Sequence, residues 1–370
     1  MILNLAKEIA YKKLQDFFDG QTPFVLFGTG TSCSVNLCFG MAALKEHLLL
    51  DIRGTDLPSS QRKEWEAVVE SLDGGADLES AMDAVRDEEL TKRIICSTAQ
   101  LIVTHDAKYS PAILKGEIVW PPLRLFERLM DSPTKQDQVL HVATPNYDLL
   151  AEHAFEKADI PYITGFSGQI CRSCDWKQAE LGMTYEEIIP PPRKRGKAKR
   201  LTKFKKHIRL YKVHGSLNTF KLNDAIVENN AWIAAVPEGV ERMMITPGSS
   251  KYEKLHQNRK ELLGEYDAAI EKHKAFLFVG FGFNDNQLNN DSIKRKLKGQ
   301  KCPGLIITRD SNERIDALVQ ECENLWLVSK PRDAGDDATK ISNSRYPYGL
   351  RLDGKRLWDS GEFSKEILGG

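Results

Sequence analysis

Three times along the chain, a short apolar run breaks off directly into glycines or polar residues. Residues 24–27 run into Gly28, Thr29, Gly30, Thr31 and Ser32; residues 139–143 run into Thr144, Pro145, Asn146, Tyr147 and Asp148; residues 275–279 run into Gly280, Phe281, Gly282 and onward to Asp285. Continuous apolar runs of four or five residues are what a strand shows when both faces of a parallel sheet are covered. Pro145 has no N–H and pushes Thr144 toward extended geometry, so the ladder should stop there. A helical pattern follows each turn: residues 33–50, 149–155 and 287–297. Strand, turn, helix, repeated, leaves little choice of fold. The expectation is an α/β protein with a Rossmann-like parallel sheet and helices on both faces. In such sheets ligands bind outside the carboxyl ends of the strands, where these polar residues lie.

The other segments fill in around that frame. Residues 3–19 have helical apolar spacing, and residues 208–213 alternate like a strand that delivers His214, Gly215 and Ser216. Residues 52–135 carry no strand signal and read as a helical insertion lobe between two strands of one sheet. Residues 250–274 read as one long amphipathic helix, and residues 304–308 and 325–328 as further strands. Residues 1–330 are therefore expected to form one catalytic domain, with the insertion at 52–135, and residues 331–370 a C-terminal arm.

Each turn also has a plain structural reading. Asp148 and Asp285 can serve as helix N-caps, and Gly28 with Gly30 can close a simple strand-to-helix turn. The functional alternative needs the same residues: glycines let a pyrophosphate approach the backbone, an acid takes a ribose hydroxyl, and His214 is exposed to whatever lies above the sheet. The third glycine of a dinucleotide fingerprint is missing.

Composition narrows the function classes. Lys and Arg together number 52 and are balanced by 52 Asp and Glu, so no global attraction to nucleic acid or membrane follows. No apolar stretch approaches the ~18 residues of a membrane span, and the N-terminal residues do not read as a signal peptide. Seven scattered cysteines fit a reduced, cytoplasmic protein better than a disulfide framework. Cys171 and Cys174 have zinc-knuckle spacing, but no second pair accompanies them, so no metal is expected. The one strong charge run, residues 190–209, holds ten Lys or Arg and no acid, and reads as a solvated basic loop or a docking patch.

The order of the turns says more than any one of them. Gly28 to Ser32, Thr144 to Asp148, His214 to Ser216 and Gly280 to Asp285 occur in the sequence in which sirtuin-type NAD-binding domains carry their motifs. The chain resembles that superfamily, and more closely the sirtuin-like NAD hydrolases of bacterial anti-phage systems, particularly the subunit that partners a HerA-type ATPase. Further matches are Gly165 to Gly168, Leu210 to Leu217 and Pro247 to Tyr252. Two departures set it apart from sirtuin deacylases. Pro145 stands where a glutamine usually precedes the catalytic asparagine, and the paired-cysteine zinc ribbon after the histidine motif is missing.

The resemblance implies NAD⁺ as substrate, a homo-oligomer and a HerA-type ATPase partner. It implies Asn146 and His214 as catalytic residues. Gly28, Thr29, Gly30, Thr31 and Ser32 would cradle the pyrophosphate, Asp148 would hold the nicotinamide carboxamide, and Gly280, Gly282 and Asp285 would flank the adenosine ribose. Alternatives are a protein deacylase, a non-enzymatic subunit that senses NAD or ADP-ribose, and a nuclease-associated scaffold using the basic stretch.

Overall fold

The structure is a computed structural model that describes residues 4–53, 56–131, 139–190, 198–246, 263–285, 288 and 291–369. In chain order its strands are β1 (Phe24–Phe27), β2 (Val139–Thr144), β3 (Tyr162–Ile163), β4 (Phe166–Gly168), β5 (Arg172–Cys174), β6 (Thr184–Ile189), β7 (Lys199–Phe204) and β8 (His207–Lys212). They continue as β9 (Gly215–Leu222), β10 (Ala225–Glu228), β11 (Glu241–Met244), β12 (Phe276–Val279), β13 (Gly304–Ile307), β14 (Leu325–Ser329), β15 (Ala338–Asn343) and β16 (Tyr346–Asp353). Nine of them form one sheet in the order β16-β15-β14-β13-β12-β1-β2-β8-β3. From β14 to β3 every pairing is parallel.

The apolar runs become central strands because both faces of the sheet are covered. All residues of β1, β12 and β13 are buried. Successive side chains alternate between two cores, as the period of two requires. Val25 and Phe27 join Leu14, Phe155 and Phe363 on one face; Phe24 and Leu26 join Tyr266, Ile270 and Ile315 on the other. The expected α/β class, a Rossmann-like parallel sheet with helices on both faces, is the fold observed.

Between β1 and β2 all described secondary structure is helical, but the insertion starts earlier than residue 52. The helix expected over 33–50 is broken into Gly30–Cys33, a 3₁₀ turn Leu37–Phe39 and Met41–Arg53. Asn36 caps the middle piece by accepting from the Cys38 amide. Leu44, Leu48 and Ile52 then point into a separate core with Trp65, Val68, Met82 and Ile94. Helix Glu88–Lys115 runs without a break through Pro111. Buried Asp106 and Ser110 interrupt its apolar face, but Asp106 accepts from the Ser110 hydroxyl at 2.8 Å and the Leu149 amide at 2.7 Å.

Three regions depart from expectation. Residues 331–370 are not an extended arm: β15 and β16 add antiparallel strands to the sheet edge, and helix Ser360–Leu368 buries Phe363 and Ile367 in the main core. Its apolar spacing is short and follows an Arg- and Asp-rich stretch, which hid it. The basic stretch is not a loop throughout. Residues 199–204 form β7, paired along its length with β6, and residues 207–209 open β8; residues 191–197 lie outside the described residues. Acids on β6 pair diagonally with cations of β7, with Arg200 3.4 Å from Glu186 and Lys203 2.5 Å from Glu187. Third, β4, β5, β9, β10 and β11 build a small second sheet in the order β11-β9-β10-β5-β4, which was not expected. Of the helix expected over 250–274, residues 263–272 are helical and 247–262, which include Pro247 to Tyr252, lie outside the described residues.

Candidate functional site

The carboxyl ends of β1, β2, β8 and β12 open onto a cavity of about 410 Å³. Its floor is made by the two glycine turns, which lock together. The Gly30 amide donates to the Gly280 carbonyl at 3.0 Å, and the Gly28 amide to the Val279 carbonyl at 3.0 Å. A Cβ on Gly28 would sit 2.7 Å from the Gly280 oxygen, one on Gly30 2.7 Å from the Gly280 Cα, and one on Gly280 2.7 Å from the Thr31 nitrogen. Gly280 also has a left-handed φ of 57°. The glycines are thus required by the approach of one turn to the other, whatever else they contact.

The same geometry limits what the first turn offers a ligand. The amides of Gly28, Gly30, Thr31, Ser32 and Cys33 are all bonded within the protein. Gly28, Thr29 and Gly30 line the cavity, whereas Thr31 and Ser32 are buried beneath it, where their hydroxyls bind the Gly28 carbonyl and Asp148. The resemblance implied a five-residue cradle; three of those residues face the cavity.

Asn146 and Asp148 leave β2 beside this floor. The Asn146 amide nitrogen donates to the Gly28 carbonyl at 3.1 Å and to the Ser32 hydroxyl at 3.0 Å, which fixes how the side chain is turned. Its Oδ1 is buried without a hydrogen-bond partner. Asp148 accepts from the Ser32 hydroxyl at 2.7 Å and from the Leu150 amide, at the start of the following helix, at 3.3 Å. Burial pushes its carboxyl up to about 6, against the pull of Lys212. Lys212, the last residue of β8, is buried with its ammonium on the Asp148 carbonyl at 2.7 Å and on Glu152 at 2.9 Å. It clamps the turn from below.

His214 and Asp285 come from β8 and β12 and meet: His214 Nε2 lies 2.7 Å from Asp285 Oδ2. Gly215 follows His214 because the backbone of β11 passes at that point; a Cβ there would fall 2.0 Å from the Met243 carbonyl oxygen. On the other side, the turn carrying Asp285 holds Phe283 at a left-handed φ of 56°. Phe283 is buried against Phe278 and Phe281, at ring distances of 4.8 and 4.9 Å, which sustains that conformation. Asn312 and Arg314 bind the carbonyls of Gly282 and Asn284 at 2.7 and 2.6 Å. Asp285 was expected on a ribose; here one oxygen is spent on His214, and Oδ1 accepts the Leu288 amide at 3.2 Å.

The insertion supplies the far wall. Phe39, Met41, Leu44, Leu78 and Ile102 make it apolar, and Glu79 adds a carboxylate that no local pattern announces. Burial and then the charge of Asp285 hold the Glu79 carboxyl above its ordinary range. Tyr147 lines the cavity and donates to the Ile245 carbonyl; burial, with Glu79 and Asp285 adding to it, raises its phenol. Burial pushes the Cys33 thiol up to about 11, which makes it a poor nucleophile. Cys171 and Cys174 are not joined in a disulfide, and among the described residues no three His, Cys, Asp or Glu side chains are grouped to hold a metal ion. No helix among the described residues is long and apolar enough to cross a membrane.

A doubly wound sheet with glycine turns and a histidine–carboxylate pair at its carboxyl edge defines a nucleotide-binding α/β protein. More particularly, the SIR2-like domain family matches residues 140–325, half of the chain, and the chain belongs to that family. Membership carries NAD-related chemistry with it. No curated protein matches the chain.

Proposed function

We propose that this protein hydrolyses NAD⁺ to ADP-ribose and nicotinamide. The observation that supports this most is the convergence of Asn146, His214 and Asp285 on one cavity, with the imidazole already oriented by a carboxylate at 2.7 Å. A pure sensor of the dinucleotide has no use for an oriented base.

The bond between nicotinamide and ribose breaks through an oxocarbenium-like state, as glycosidic bonds do. Nicotinamide leaves from a cationic precursor, so no general acid is needed. What the protein must do is hold the ribose, turn the ring out and handle a proton. Asp285 fixes the ring of His214, which leaves Nδ1 to accept a proton from a ribose hydroxyl. The open acceptor of Asn146 takes a donor from the ribose or from water. Thr29 with Gly28 and Gly30 lies against the pyrophosphate, and Asp148, held behind Ser32, faces the carboxamide. Gly280 and Gly282 flank the adenosine ribose.

In the cell this reading makes the protein an anti-phage effector that depletes NAD⁺. It works as a homo-oligomer whose activity a HerA-type ATPase partner gates, on the strength of the motif resemblance. The decisive experiment incubates purified protein with NAD⁺ and follows nicotinamide release with and without an acyl-lysine peptide. Release that is independent of peptide is expected. Release that requires peptide makes the protein a deacylase, and NAD⁺ binding without release makes it a sensor. Asn146→Ala and His214→Ala should each lower release by ~10²-fold or more, the scale of a positioned acid–base group.

A further inference from the structure

We propose that Glu79, carried into the cavity by the helical insertion, is the catalytic base that activates the attacking water. The inference rests on the NAD⁺-cleaving reading above.

Four carboxylates line the cavity: Asp77, Glu79, Asp148 and Asp285. Three are committed elsewhere. Asp77 caps its own helix, accepting from the Ser80 amide at 2.9 Å and the Ser80 hydroxyl at 3.1 Å. Asp148 is held by Ser32 and Leu150, and Asp285 by His214 and Leu288. Glu79 is half-buried and, among the described residues, forms no hydrogen bond or ion pair. A shielded carboxylate with no donor is costly unless a ligand supplies one.

The surroundings suit a base for water. Leu78, Ile102 and Phe39 keep the wall apolar, so a proton acceptor there is poorly hydrated. The charge of nearby Asp285 disfavours ionised Glu79 further, which brings its proton affinity closer to neutral pH, where a general base works best. Asn146 cannot fill this role, because an amide orients a water but takes no proton from it. His214 is engaged at Nε2 and serves the ribose through Nδ1.

The step balances simply. The C1′–N bond breaks first, its electron pair leaving on neutral nicotinamide and the ribose left oxocarbenium-like. The water oxygen then bonds to C1′ as its proton passes to the Glu79 carboxylate. Products are ADP-ribose, nicotinamide and one proton, later released to solvent. Water activation thereby separates from bond cleavage, with a different residue for each.

The separation can be measured. Cleavage without water attack is visible as exchange of isotopically labelled nicotinamide into NAD⁺. Glu79→Gln is expected to lower hydrolysis by ~10²-fold while exchange persists, so the ratio of exchange to hydrolysis rises by a similar factor. Glu79→Asp, which keeps the charge, should hydrolyse at an intermediate rate and serves if the glutamine variant does not fold. Wild-type hydrolysis in Glu79→Gln would overturn the assignment, as would a parallel loss of exchange and hydrolysis in a variant that still binds NAD⁺. If the wild-type protein neither hydrolyses nor exchanges, it is the NAD⁺-cleaving reading that falls.

Discussion

Replacing Gly280 by alanine should open the interlocked turns on which the cavity rests. Two costs add. The left-handed φ of 57° penalises a Cβ by about 1–2 kcal/mol. Contacts of 2.7 Å to the Thr31 nitrogen and 2.8 Å to Gly30 demand a backbone shift, since both partners are main chain; overpacking of that kind costs about 1–3 kcal/mol. Restriction of the unfolded chain returns about 0.4–1 kcal/mol, so a net loss of about 2–4 kcal/mol is expected. Two controls separate the contributions. Gly30→Ala has the same 2.7 Å approach without the left-handed φ, and should lose about 1–2 kcal/mol. A Cβ on Gly282 would meet nothing nearer than the Asn284 side chain at 3.5 Å, so Gly282→Ala should stay within about 0.5 kcal/mol of wild type. Urea titrations followed by tryptophan fluorescence give the ranking, and NAD⁺ titration of each folded variant reports on the cavity. A Gly280→Ala protein as stable as wild type, or less affected than Gly282→Ala, would refute the interlock.

Asp285→Asn should cut nicotinamide release by ~10²-fold or more while changing NAD⁺ affinity less, because it acts through the orientation of His214; equal losses in both would place Asp285 on the ligand instead. Acidification should stabilise the fold. Burial pushes the Glu228 carboxyl from 4.5 up to about 7, against Arg172 at 3.1 Å and Thr164 at 3.0 Å. A carboxyl raised on folding contributes stability that is present at low pH and lost as pH rises through about 7. That is on the order of 3 kcal/mol for this group; melting temperatures should therefore be higher near pH ~6 than near pH ~8. Glu228→Gln should flatten that dependence, and an unchanged slope in the variant would assign it elsewhere. Truncation after Lys330 removes β15, β16 and the helix that buries Phe363 and Ile367, so the remainder should not fold; a truncated protein with a cooperative thermal transition would contradict this.

The parallel core was legible because burial on both faces writes itself as continuous apolar residues: β1, β2, β12, β13 and β14 all begin or end within a residue or two of the expected strands. The residues at their carboxyl ends were legible for the same reason, since a strand of known direction says where its last residue points. What escaped depends on partners distant in sequence. The pairing of His214 with Asp285 joins two turns, and neither shows which oxygen or nitrogen the other takes. Glu79 sits in a four-residue helix whose sequence has no feature beyond an Asp cap. Residues 199–204 are basic enough to read as solvated; they form a strand paired along its length with β6, whose Glu186 and Glu187 form diagonal ion pairs with Arg200 and Lys203. Lys212 was the one audible signal passed over: a cation at a position flanked by buried residues needs a buried partner.

Sheet order also dictates when, during synthesis, the cavity can exist. The two neighbours of β1 are β2 and β12, and the second of these is made only near residue 276, long after β1 itself. Until then β1 lacks one ladder, Gly280 is not there to meet Gly28 and Gly30, and His214 has no Asp285. The helical insertion, with a core of its own, can collapse early and wait. A growing chain therefore carries the elements of the first half of the site well before the contacts that complete it. Under the proposed function, this timing keeps a chain that has not yet reached Asp285 from cleaving NAD⁺ while it is still on the ribosome.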